Sequence, residues 1–243
     1  MNKEQSILYP YVSVDCVVFG FDGEKLKILL IERNINNSSD KLSDKKLPGS
    51  IIYEDEDLDS AATRILNELT GLKNIYLSQF HSFGHPERAN NPRDKQWLER
   101  TTKLKIGRLI TVGYVALIKI NRKIIFESEN TTARWYDIAS LPSIQLAFDH
   151  NQIAMEALKY IRNKVQYETY TLFELLPHKF TMTQLRNLYD IILETKSDVR
   201  NFQKKMLQIE GLEQLDEVQK DVPYRAPRLY RYYKKRSKST PKK

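Results

Sequence analysis

The amino-acid sequence predicts an α+β chain, a mixed sheet flanked by helices and then a small helical unit closed by a β-hairpin. Three observations carry this. Short apolar segments separated by turn residues fill most of residues 11–140. Amphipathic helices stand at Leu58–Leu72 and at about His150–Lys164. After Gln166 the pattern becomes helical, with two helices on a tight turn. The 243 residues allow one large domain or two small ones. The boundary is placed between 165 and 166, the second unit ends at 236, and 237–243 form a basic tail expected to be disordered.

The elements follow in order. YVSVDCVVFGF alternates in Val12, Val14, Cys16 and Val18, and Asp22-Gly23 turns it into a second strand from Leu26 to Ile31. Residues 34–46 are polar and turn-rich and read as a loop. The next helix buries Leu58, Ala61, Ala62, Ile65, Leu66 and Leu69 on one stripe and stops at Gly71. NIYLSQFHSFG reads as a strand, and the polar stretch from His85 to Gly107 as a long loop. RLITVGYVALIKI, IIFESE and TARWYDI complete the strands. In the second unit, Thr181-Met182-Thr183-Gln184 is a capping box opening a helix to Leu193. Ser197 is read as the cap of the following helix, which buries Val199, Phe202, Met206 and Ile209 and is ended by Gly211. RAPRLYRYY reads as a strand of a wing.

Composition excludes some classes. No run of 18 apolar residues exists, so no membrane span is expected. With one cysteine, Cys16, and no signal pattern in MNKEQSILYPYVSVD, the expected location is cytoplasmic. Residues 1–160 hold 21 basic and 21 acidic side chains, so the whole net charge of +8 lies in the last third. From Arg225 onward there are nine basic residues and no acid, which points to a polyanionic partner.

LPGSIIYEDEDLDSAATRILNELTGL resembles a degenerate Nudix box, Gly-x5-Glu-x7-Arg-Glu-U-x-Glu-Glu-x-Gly-U, in which U is aliphatic. Ungapped over 23 positions, the match places Glu56, Arg64, Leu66, Glu68 and Gly71 on their motif positions. Ser50 takes the leading glycine's place, with Gly49 just before it, and Ile65 and Leu69 replace two glutamates. Divalent cations in active Nudix enzymes need several hard oxygen ligands. Glu68 alone makes a poor site, so no catalytic residue, metal or cofactor is expected. Arg64 and Glu68 instead form an i, i+4 pair, with Glu56 as a clamp.

The resemblance extends over nearly the whole chain. QFHSFGHPER and ITVGYVALI resemble ADP-ribose-type Nudix domains. FDHNQIAMEALKYIRNKVQY, FELLPHKFTMTQLRNLYDIIL, DVRNFQKKML and YRAPRLYRY resemble the NrtR family of Nudix-related transcriptional regulators, in which a Nudix-like sensor precedes a winged helix-turn-helix. The family implies a homodimer that binds a palindromic operator and releases it on binding a small metabolite. An AraR-like branch implies repression of sugar-utilisation genes and a pentose effector such as L-arabinose; ADP-ribose is the alternative. An active Nudix pyrophosphohydrolase with a basic appendage is disfavoured by Ile65 and Leu69. A protein-interaction module is disfavoured by the acid-free end.

Residue chemistry names the candidate sites. Arg200, Asn201, Gln203, Lys204 and Lys205 lie on the polar face of the second helix, and Arg225, Arg228, Tyr230 and Arg231 on the wing; these types reach bases and phosphates. Asp15, a carboxylate inside an apolar strand, is a ligand candidate because burying it unpaired is costly. Arg33, Lys46, Glu56, Phe83 and Arg88 join it by position.

Overall fold

The computed structural model describes residues 11–33, 44–92, 94–95, 98–99, 105–120, 126–127, 131–220 and 226–233. Arg225, the 237–243 tail and most of the 34–46 loop lie outside them. β1 (Tyr11–Phe21) is the spine of the sheet. It runs parallel to β6 (Leu109–Lys119) in unbroken register. Its other edge is shared: Ser13–Asp15 pair with β4 (Gly49–Ile51), and Phe19–Phe21 with β2 (Leu26–Arg33). The remaining strands are β3 (Asp44–Lys46), β5 (Ser78–Phe83), β7 (Phe126–Glu127) and β8 (Thr131–Asp137). The order is β5-β6-β1-β2-β8-β7, with β3 on β2 and β4 on β1.

Helices cover both faces. α1 (Leu58–Thr70) packs on Val14, Cys16 and Val18, and the Cys16 thiol donates to the Ala62 carbonyl. α2 (His150–Tyr167) packs on the opposite face, against Val17, Phe19 and Phe21. Coverage on both sides explains why β1 is nearly continuous in apolar residues, as parallel strands are. Asp57 caps α1 by accepting from the Ser60 amide, and Gly71 ends it with φ of 70°. The Asp22-Gly23 hairpin forms as the sequence predicts, Gly23 adopting φ of 105°.

The second unit shares this core. A 3-10 turn (Thr169–Glu174) leads to α3 (Met182–Leu193) and α4 (Val199–Met206). The predicted capping box is present: the Gln184 amide donates to the Thr181 hydroxyl, and the Thr181 amide to the Gln184 side chain. Leu185, Leu188, Phe202 and Met206 join the same apolar cluster as Phe19 and Leu30 of the sheet. The wing is a three-stranded sheet in the order β10 (Leu212–Val218), β11 (Arg228–Tyr232), β9 (Phe180–Thr181).

Several elements differ from the expectations. Asp44–Lys46 is a strand rather than loop, because it pairs with Ile31–Arg33. The strand after α1 begins at Ser78; Asn74, with positive φ, breaks the extended run before it. α2 continues to Tyr167, so position 165 falls in its last turn. The cap of α4 is Asp198, not Ser197, whose amide is engaged by the Asp190 carboxylate. α4 stops at Met206, five residues before Gly211, and Val199 is 55% exposed instead of buried: it shares the stripe of Phe202 and Met206 at i+3 and i+7, but as the first residue of the helix it lies outside the core they enter. β10, unforeseen, is mostly exposed and lacks a period-2 apolar pattern.

Candidate ligand site and DNA-facing helix

The emptied Nudix helix is closed as structure. Ile65 is fully buried and Leu69 partly buried, both packed in the apolar cluster under α1. Arg64 donates to Glu56 through Nε at 2.8 Å and through Nη2, and to Glu68 at 3.1 Å. Its guanidinium lies over the Tyr53 ring, 4.1 Å from the centroid. Glu56 also accepts from the Tyr53 amide at 2.8 Å. The Arg64 hydrogen bonds hold the Glu56 carboxyl below the usual range. Glu56 therefore does not fit its expected ligand-binding role: its carboxylate is consumed locking the loop to the helix. The donor set, one exposed glutamate tied to an arginine beside two aliphatic residues, does not fit a divalent cation.

A second polar group lies on the other face of the sheet. Asp15 projects from β1 towards the start of α2 and is 5% exposed. His150 Nε2 is 3.5 Å from it, and Arg88 Nη2 is 4.0 Å from it. The Leu47 amide donates to His150 Nδ1, so that nitrogen accepts and Nε2 carries the proton facing Asp15. Burial alone would raise the Asp15 carboxyl; His150, Arg88 and Lys46 more than offset it, and the group lies below its ordinary value. Lys46 donates to the Gly49 carbonyl at 2.7 Å. Gly49 explains itself here, because any Cβ would fall on the Asp15 carboxylate that lies across it.

Arg88 is the most telling side chain. It donates to Asp149 twice, at 2.7 and 3.0 Å, and its side chain is 2% exposed, yet among the described residues its buried Nη1 has no hydrogen-bond partner. Buried donors are rarely left so. A few residues on, Asp94 accepts from the Phe148 amide, tying this segment to the corner before α2.

The structure thus brings Asp15, Lys46 and Arg88 together. Phe83 lies in register with Thr111, which in turn pairs with Ser13, and is a core residue beside that group. The Arg33 side chain lies outside the described residues. Sequence reasoning missed Asp149 and His150. Their only local signal is their place at the start of a helix; the partners are 61 and 135 residues away. Among the described residues, no group of three or more His, Cys, Asp or Glu is placed to hold a metal ion.

On α4, Arg200, Asn201 and Lys204 are exposed and Gln203 is half-buried. The turn before it is fixed from α3, with Arg186 donating to the Ser197 carbonyl and Ser197 to Asp190. Lys205 is drawn back onto α3, where its ammonium donates to the Tyr189 hydroxyl at 3.2 Å. Tyr230 does not fit its expected place on the DNA face. It is 4% exposed, because it alternates inward on β11, and its hydroxyl is 3.1 Å from Gln214. Arg231 lies 3.8 Å from Glu213 and over the Tyr233 ring. Arg228 is an exposed base of the wing.

A Nudix-type sheet continued into a winged helix-turn-helix defines a class of DNA-binding regulator. Residues 10–157 match the NUDIX domain and 172–232 the NrtR DNA-binding winged helix domain. The chain is 33% identical over 227 residues to the ADPR responsive transcriptional repressor NtrR of Acinetobacter baylyi, covering 92% of this chain and 82% of that protein. The chain belongs to the NrtR family. The fold matches that of Shewanella oneidensis NrtR crystallised with a 27mer DNA, with a TM-score of 0.66 and 23% identity, over 91% of this chain and 93% of that one. The NUDIX domain of the same Shewanella protein, crystallised with ADP ribose, is 28% identical with a TM-score of 0.50, over 64% of this chain and 90% of that one. The pentose response drawn from the AraR-like resemblance is not supported: the full-length relative responds to ADPR, so ADP-ribose fits better. Among the described residues, no helix is long and apolar enough to cross a membrane.

Proposed function

We propose that this chain is a homodimeric transcriptional repressor that binds a palindromic duplex through α4 and the wing and releases it on binding ADP-ribose, without hydrolysing it. The observation that carries the reading is α4 itself. It buries Phe202 and Met206 in a core continuous with the sheet and leaves Arg200, Asn201 and Lys204 facing outward. These are the side chains that reach guanine, adenine and phosphate from a major-groove helix.

The effector end rests on Arg88. Its spare buried donor, beside Lys46, suits a diphosphate oxygen without a metal bridge. A diphosphate competing with Asp15 and Asp149 for that guanidinium loosens the corner from which α2 begins. At its far end, α2 grips the helix-turn-helix: Arg162 donates to the Ile192 carbonyl at 2.8 Å and to Glu194, which ends α3. Effector binding shifts the DNA equilibrium only if it favours the non-binding geometry.

The test is fluorescence anisotropy on a duplex selected by the full-length protein from a random library. Arg200→Ala weakens that duplex by about 1–3 kcal/mol and relaxes base preference at one position per half-site. Equal affinity for all duplexes, or a monomer at working concentration, contradicts the reading.

A further inference from the structure

Val199 is the first residue of α4 and is exposed, an apolar side chain beside Arg200 and Asn201 on a helix otherwise polar outside. We infer that Val199 is a specificity-determining residue that receives the 5-methyl group of a thymine in the major groove. The inference rests on the DNA-binding reading and deepens it, naming a base feature that the charged residues of α4 cannot read.

Four observations support it. The N-terminal residues of a recognition helix meet base edges, and thymine is the one base that offers a methyl group there. Valine's only side-chain torsion is χ1, so its methyls stay within a narrow reach of the backbone that carries them. The backbone beneath is fixed as well: Asp198 caps the Asn201 amide at 2.9 Å, and Arg186 and Asp190 hold Ser197. Finally, Val199 takes no part in the core under α4, which is formed by Phe202 and Met206. An apolar contact with a methyl group discriminates thymine from cytosine, which has neither the methyl group nor the O4 acceptor.

The experiment uses the full chain and the duplex it selects from a random library. Each thymine in a half-site is replaced in turn by deoxyuridine, which removes only the methyl group. At one position the wild type loses about fourfold in affinity, the effect of about 0.8 kcal/mol for one methyl-sized group. Val199→Ala, an exposed change that leaves the core untouched, binds the thymine duplex about fourfold more weakly and no longer distinguishes thymine from deoxyuridine there. A selected duplex whose thymines all tolerate deoxyuridine overturns the inference, as does an unchanged methyl preference in Val199→Ala. Selection that yields no preferred duplex overturns the DNA-binding reading and this one with it.

Discussion

Two arginines on opposite faces of one sheet have met different fates. Arg64, on α1, is saturated: Glu56, Glu68, the Ile51 carbonyl and the Tyr53 ring all engage its guanidinium. Arg88, in the segment after β5 and held against Asp149 at the start of α2, is more deeply buried and yet, among the described residues, keeps a donor unspent. The first is a structural lock that engages both Glu56 and Glu68, beside the aliphatic Ile65 and Leu69. The second sits in a cluster whose charges nearly balance but whose hydrogen bonds do not. Residual polar capacity, more than charge, separates the two, and it is on this difference that the proposed effector site rests.

The largest effect expected from breaking this contrast is at Asp15. Asp15→Asn removes the buried carboxylate facing His150 and Arg88 and leaves Arg88 under-compensated, which costs about 3–5 kcal/mol in urea unfolding. Its pH dependence follows from the lowered carboxyl. A carboxyl depressed in the folded state stabilises above its unfolded value, about 3.9, and the contribution is lost as pH falls through the folded value. The gap between wild type and Asp15→Asn is therefore constant above about pH 5 and closes in acid. A gap that widens in acid contradicts the cluster as described.

Arg64→Ala comes next. It frees the loop before α1 and strands Glu56, at a cost of roughly 2 kcal/mol, the scale of a charged hydrogen bond. Its effect on DNA binding and effector response is nil, because the lock lies on the face away from α2. Loss of ADP-ribose binding in this variant would move the ligand site to the wrong face of the sheet.

Glu68→Ala is the smallest. Its carboxylate is 54% exposed and belongs to an i, i+4 pair, so stability changes by no more than about 0.5 kcal/mol. Any Mg²⁺-dependent release of AMP or ribose phosphate from ADP-ribose that this substitution abolishes would show that the box is alive after all. None is expected, since Ile65 is sealed in the core.

How much of this was legible differs between the same two regions. The Arg64–Glu68 pair and the Glu56 clamp could be read, because the three lie close in sequence and the helical period sets Arg64 beside Glu68; the Tyr53 ring and the Ile51 carbonyl could not. The capping box at Thr181–Gln184 and the β1–β2 hairpin were legible for the same reason. The Arg88 cluster was only half legible. Asp15 stood out as a charge in an apolar strand, but Asp149 and His150 look like ordinary helix-start residues until the fold folds α2 over β1. Val199 was misplaced because an in-phase position does not say whether the core reaches the first residue of a short helix, and Tyr230 because the strand alone does not say which of its faces is covered. Arg33 was chosen by strand position alone, which says nothing of where its side chain goes.

The most direct test of the central claim is titration calorimetry of ADP-ribose in EDTA, with and without the selected duplex, for wild type, Arg88→Lys and Arg64→Ala. Lysine keeps the charge and loses the planar fork. The account predicts metal-independent binding by wild type and Arg64→Ala, weaker binding when DNA is present, and at least tenfold loss in Arg88→Lys. Binding that requires Mg²⁺, or that Arg88→Lys leaves unchanged while Arg64→Ala destroys it, would contradict it.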